Sequence, residues 1–381
     1  MTKVIEWFGF GAGILLVLAV AGSMMRTLIV PRGLSSKLGA MVGVVVRRSF
    51  LFVANRFETY EAKDRILALQ APTFLLALLL TWMTAFWIAW GLMLWPFSEI
   101  TFANALRESG SAMLTLGFDQ PQNPNTFWIH FGAATTGLVV IALQIAYLPT
   151  LYSSFNRRET LVTVLQSRAG SPAWGPEILA RHAMTELVPD LPSFYSEWER
   201  WEADVAETHT NYIVLLYFRS PHALRSWLIA MLAVMDSAAM YAALCPESAP
   251  VQARLCLRMG FTCLRSIAGV LGLPYDPDPM PDDPIELTFD EFKGSMGRLV
   301  EMDFPMERTP EEAWPHFQGW RVNYESIAYQ LADLIVAPPA PWSGHRTHLA
   351  DVTIVPQRPA NRQPDNPKRD EPHHDKIEWQ A

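Results

Sequence analysis

Thiols and charge are both scarce in this chain. Three cysteines among 381 residues exclude a disulfide-built scaffold, and no CxxC or Cys/His spacing offers a zinc site. Basic residues are not in excess: 30 Lys and Arg stand against 38 Asp and Glu, for a net charge of -8. A nucleic-acid binder needs positive charge to neutralise phosphates, so no nucleic-acid partner is expected. No GxGxxG run is present, which excludes a Rossmann-type dinucleotide site. Nothing resembles a nucleophile elbow or an ordered catalytic triad, and no enzyme is expected. Strand-like alternation is rare. What the chain has instead is apolar bulk, with 14 Trp, 20 Phe and 16 Met, and that excludes a disordered polypeptide.

The apolar residues are not spread evenly. A mean hydropathy of +0.11 lies between soluble and membrane proteins and averages two unlike halves. No charged residue lies between Glu6 and Arg26, between Arg65 and Glu99, or between Asp119 and Arg157. Within these gaps Trp7 to Met25, Pro72 to Trp95 and Phe127 to Thr150 are each long enough for a helix of roughly 20 residues to cross a bilayer. A single Lys precedes the first segment and no small-x-small cleavage site follows it, so it reads as a retained span and not a signal peptide. The apolar run Trp227 to Met235 is closed by Arg225 and Asp236 and reads as a buried core helix.

Basic residues set the orientation. The connection between the first two spans carries Arg26, Arg32, Lys37, Arg47, Arg48, Arg56, Lys63 and Arg65, whereas 96–126 carries Arg107 alone. The positive-inside rule then places 31–65 and everything after the third span in the cytoplasm of a multi-pass plasma-membrane protein. Gly33 to Phe57 is apolar at helical spacing but broken by Arg47 and Arg48. It is either an amphipathic helix on the inner leaflet or a helix packed on the C-terminal half.

The connection between the second and third spans is the informative one. Thr101 can cap a short helix that carries Ala103, Leu106, Ser109 and Met113 on one side. Thr115-Leu116-Gly117-Phe118-Asp119 follows, then a turn-rich Gln120-Pro121-Gln122-Asn123-Pro124. The expected order is a spanning helix, a half-length helix, a short glycine-containing strand, a turn and a spanning helix.

This layout resembles the pore module of potassium channels over roughly residues 70–155. Ser111 to Phe118 resembles the end of a pore helix running into the selectivity filter. Thr115 matches the filter threonine, Leu116 the apolar position, Gly117 the first glycine and Phe118 the aromatic. The resemblance implies that the backbone carbonyls of Thr115, Leu116, Gly117 and Phe118 replace the water around a permeant K+ or other monovalent cation. No other cofactor is implied. Glycine lets carbonyls face inward at angles that a Cβ resists, and the aromatic would pack behind the strand. Irregular backbone at membrane depth is tolerable only where protein or water surrounds it.

The family's second glycine is missing. Asp119 either occupies its position or matches the acidic residue that follows it, and four such carboxylates would ring the outer mouth. One pore loop per chain implies a homotetramer in a lipid bilayer. The third helix would line the cavity with Gly137, Ile141, Gln144 and Leu148, which share a face at helical spacing. Gly137 is read as a hinge or as a close-packing site, Gln144 as cavity lining in preference to an interhelical hydrogen bond, and Leu148 with Pro149 as a gate or kink. No spanning segment carries arginines at every third position, so no voltage sensor is expected.

The C-terminal half reads as an all-α bundle over 157–337, with helices at 159–167, 175–187, 193–216, 223–244, 251–271, 289–302 and 311–334. His182 and Glu186 share a helix face. Asp236 is expected to pair near Arg225, and Cys245, Cys256 and Cys263 to be reduced core residues. The acidic proline-rich run Asp276 to Asp283 lacks the spacing of a calcium loop and is a solvated linker. Residues 338–381 are poor in apolar side chains and are expected to be disordered.

The sequence therefore predicts an all-α membrane protein of five parts. These are a first span (1–30), a cytoplasmic connection (31–65), a pore module (66–156), a helical cytoplasmic domain (157–337) and a tail (338–381). The expected function is a potassium-channel-like cation channel. The competing expectation is a non-conducting membrane-anchored sensor or scaffold that binds partners through the helical domain.

Overall fold

A computed structural model describes residues 2–30, 36–97, 101–119 and 123–345. Among them the chain is all-helical, without a β-strand. Several helices long and apolar enough to cross a bilayer mark it as a membrane protein. They are α1 (Thr2–Leu28), α4 (Gln70–Leu94) with the short helix before it, α6 (Phe127–Ala169) and α9 (Trp227–Leu244).

The first three form a bundle. α1 runs antiparallel to α4, with Gly9 facing Leu92 and Trp95 and Gly13 facing Ala89 and Met93. Val20 and Met24 of α1 join Leu78, Trp82 and Phe86 of α4 and Ala133 and Val140 of α6 in one buried cluster. A polar thread fixes α1 to α4. The Trp82 indole donates to Ser23 Oγ at 3.2 Å, and Ser23 donates to Ser36 Oγ at 2.9 Å. Ser36 in turn caps α2 (Lys37–Ala54) by accepting from Gly39 N.

α2 touches both halves of the molecule. It buries Val42, Val46 and Ala54 and leaves Met41, Val45 and Phe52 exposed. Its Arg47 also reaches the helical domain, donating to the Leu334 carbonyl at 3.2 Å. α3 (Tyr60–Leu67) ties to the same place through Asp64, whose Oδ1 stands 2.6 Å from Arg219 Nη1.

α6 corrects the boundary placed at 156/157. It is one helix of 43 residues, about 65 Å long and so roughly twice the hydrocarbon thickness. Its second half buries Leu161, Val162 and Leu165 in the helical domain, and Gly170 ends it at φ 76°. Pro149 lies inside the helix on an exposed face without interrupting it.

The helical domain wraps α9. Seventeen of the 18 residues of α9 are buried, so this helix of membrane-spanning length is enclosed by protein. Around it stand α7 (Gly175–Met184), α8 (Leu191–Asn211), α10 (Val251–Leu271), α12 (Pro310–Arg321) and α13 (Glu325–Ile335), while α11 (Phe289–Glu301) packs on α7 and α12. Two expected helices divide. The stretch 193–216 becomes α8 and a one-turn 3-10 helix, Ile213–Tyr217, and 311–334 splits into α12 and α13.

Asp236 does not pair near Arg225. It accepts from Arg321 Nη1 and from the Tyr324 hydroxyl, and burial pushes its carboxyl up to about 6 against the pull of Arg321. Arg321 also donates to Glu325 at 2.8 Å, Tyr329 at 2.8 Å and the Trp342 carbonyl at 2.7 Å. Trp342 and Ala340 are buried, which moves the end of the ordered domain beyond 337; residues 346–381 of the expected tail lie outside the described residues. His182 and Glu186 do not form a pair, because α7 ends at Met184 and Glu186 takes φ 58°. The three cysteines are free and buried.

Arg158 of α6, fully buried, holds the two halves together. It donates to the carbonyls of Leu215 at 2.8 Å and Phe218 at 2.7 Å, pairs with Glu159, and meets His209 Nε2 at 3.0 Å. Leu215 and Phe218 in turn pack on Ala71 and Leu75 of α4 and on Tyr147 and Leu151 of α6. Burial first, and then Arg158, hold His209 well below the usual imidazole range. A depressed imidazole stabilises the fold above its unfolded value of 6.5, and this contribution is lost as pH falls below that value. Between about pH 7.5 and 5.5 the native chain should lose stability faster than His209→Gln, by at most about 1.4 kcal/mol per pH unit. Thermal unfolding of both proteins across that range measures the difference.

Candidate functional site

The site is the connection between α4 and α6. Its half-length helix, α5 (Phe102–Met113), turns back alongside α4. Leu106 lies against Gly91, and further along α5 Gly110 lies against Trp87. The Trp87 indole donates to the Leu106 carbonyl at 2.7 Å, and Ser109 Oγ reaches the Trp87 carbonyl at 3.3 Å. α5 then ends against α6. A Cβ placed on Gly137 would overlap the Met113 carbonyl oxygen, so the two backbones touch. Gly137 is ten residues into α6, which puts the carbonyl end of α5 about 15 Å along that helix from its first turn.

A buried acid and imidazole face each other at this junction. Glu108 Oε2 stands 3.3 Å from Nε2 of His130 on the first turns of α6, and both residues are buried. Neither was singled out from the sequence. Each is nevertheless a titratable group within a largely apolar stretch, and that was the available signal.

Beyond Met113 the backbone turns sharply. Thr115 N donates to Ala112 O at 3.0 Å and Leu116 N to Ser111 O at 2.9 Å, closing a Schellman-type cap with Thr115 at φ 54°. Gly117 N also reaches Ser111 O at 3.4 Å, and Gly117 takes φ 67°. Asp119 N donates to Ser111 Oγ at 3.0 Å, which ties the far end of the loop to the helix. The expected glycine-containing strand is therefore a compact turn. The reason is local: the open carbonyls of α5 capture the next amides before the chain can extend.

This turn directs its oxygens outward. In a trans peptide the C=O of one residue points opposite to the N–H of the next. The amides of Leu116, Gly117 and Asp119 all face Ser111, so the carbonyls of Thr115, Leu116 and Phe118 face away from α5. Among the described residues no donor reaches the carbonyls of residues 115–118. A β-branched residue at positive φ is a strained state that surrounding structure must enforce.

Three expectations of placement change. Phe118 does not pack behind the loop within the chain; it is 60% exposed, and Leu116 is 62% exposed. Asp119 lies 3.6 Å from Arg107, which offsets its carboxylate. The proposed lining face of α6 divides. Gly137 is buried against Met113 of α5 and Gln144 is buried, whereas Ile141 is exposed and Leu148 is partly buried. Gly137 is thus a close-packing site, and Gln144 keeps its Oε1 without a donor among the described residues. No family description, curated protein or solved structure matches the chain.

Two outcomes test this geometry. Gly137→Ala should lower stability by about 1–3 kcal/mol because backbone must give way. Gly11→Ala, where the added methyl meets nothing within 4 Å, should leave stability unchanged or raise it slightly. Likewise Thr115→Gly should leave stability unchanged or raise it by up to about 1 kcal/mol, whereas Gly117→Val should cost about 1–2 kcal/mol. Thermal unfolding of the detergent-solubilised variants reads out all four.

Proposed function

We propose that the chain is the subunit of a potassium-channel-like cation channel, and that residues 115–119 form its filter. The observation that carries this reading is the unpartnered, outward-facing carbonyls at the end of a helix that turns back into the bundle. The span of α6 that precedes its charged residues would place those carbonyls near half depth, since about 15 Å is half of a hydrocarbon core of roughly 30 Å. A desolvated cation needs oxygens there, and the carbonyl end of α5 adds about half a negative charge. The exposed Leu116 and Phe118 then meet neighbouring subunits. Closing a ring of carbonyls takes four copies, so the assembly is a homotetramer with cyclic symmetry. The pore wall below the filter comprises Ile141 and its exposed neighbours on α6. The basic residues of 26–65 support a cytoplasmic position for that connection and the helical domain, across the plasma membrane from Arg107.

The compactness of the 114–119 turn favours a second reading, in which the loop no longer conducts and the chain anchors a partner-binding helical domain. Ion flux separates the two. Liposomes containing the purified chain should pass K+, and Gly117→Asp should reduce the flux to that of empty liposomes while the tetramer persists. A folded tetramer that passes no cation would leave only the anchored reading.

A further inference from the structure

A second candidate site lies where the bundle meets the helical domain, apart from the ion path. Here α3, the start of α4, the segment 216–227 and the residues after α13 enclose a small cavity of about 20 Å³, open on one side. Its lining includes Asp64, Arg219, Ser220, Arg225 and Trp227. Three of these are more than nine-tenths buried, Asp64 at 8%, Ser220 at 7% and Trp227 at 2% exposure. Ser220 Oγ, Trp227 Nε1 and Arg225 Nε find no acceptor among the described residues. Buried donors without acceptors are costly, and three in one cavity call for an acceptor-rich occupant.

The backbone points the same way. α9 begins at Trp227, and its cap residue Ser226 makes no side-chain capping bond. The first amides of this 18-residue helix are thus open donors at the positive end of its dipole. The nearby charges are accounted for. Arg219 is committed to Asp64 and to the carbonyls of Ile335 and Val336. Glu159, which acts on Arg225 through its charge, is paired with Arg158 through Oε1, and its Oε2 has no donor among the described residues. Arg225 uses its terminal nitrogens on Gln166 and Thr163, which leaves Nε and its positive charge to the cavity. The balance of two arginines and one aspartate is a single positive charge.

We propose that this cavity binds a phosphate group, with Ser220, Arg225, Trp227 and the first turn of α9 as donors. Phosphate supplies several acceptor oxygens and no obligatory donor, which matches the donor set. Asp64 and Gln70 immediately precede the apolar run that opens at Pro72, so the cavity is level with the end of the bundle. A lipid headgroup and a soluble phosphate ester can both reach that level.

The full chain in phosphatidylcholine nanodiscs provides the test, with thermal unfolding and tryptophan fluorescence as readouts. One arm adds inorganic phosphate, with KCl at equal ionic strength as control; the other replaces part of the phosphatidylcholine by phosphatidic acid. At least one arm should raise the unfolding midpoint. A response to phosphate in solution identifies a soluble occupant, and a response to phosphatidic acid alone identifies a headgroup. Arg225→Gln and Ser220→Ala should each weaken the response at least tenfold, and Ser220→Ala keeps the test open if the arginine variant does not fold. No response in either arm, an equal response to KCl, or an undiminished response in both variants overturns the proposal.

Discussion

The contact between the Met113 carbonyl and the backbone at Gly137 is the constraint on which the membrane half depends. A helix of half length can end inside a bundle only if its neighbour offers a surface without a side chain. Glycine at 137 provides that surface, and Gly91 and Gly110 sit where α5 crosses α4. Once α5 is seated, its last carbonyls are open. The amides that follow turn back to satisfy them, and this alone aims the next carbonyls away from the helix. The loop geometry is thus a consequence of where α5 stops, and the strain at Thr115 is the local cost.

The two halves of the molecule are mechanically one along α6. A continuous helix of 43 residues carries a displacement from Gly137 to Leu165 without an intervening linker. Arg158 fastens the segment Ile213–Phe218 to this rod, and the same segment packs on the start of α4. Movement between α4 and α6 at that end therefore has to be matched by the helical domain. The proposed phosphate cavity adjoins the same segment, with Arg225 bonded to Gln166 of α6.

Enclosure of α9 explains why the helical domain is large and rich in buried charge. A helix apolar on every side must be surrounded, here by protein. Asp236 on that helix would be costly alone. Arg321, Tyr324, Glu325 and Tyr329 form a bonded set around it, and the chain after α13 folds back so that the Trp342 carbonyl completes the arginine.

Much of this was legible from residue order, because the forces involved are local. Uncharged runs of spanning length, the short helix that begins after Thr101, the all-helical class and the burial of 227–235 follow from hydropathy and spacing, which neighbouring residues set among themselves, although the Thr101 side chain makes no capping bond. Tertiary contact decided the rest. Gly137 was equally consistent with a hinge or a packing site until Met113 was placed against it. Gln144 and Ile141 share a helical face in sequence, yet the fold buries one and leaves the other open. Asp236 found Arg321, 85 residues away, instead of Arg225, and Glu108 found His130. Such pairings are set by which surfaces the helices bring together, and no periodicity within one helix records the partner it will meet.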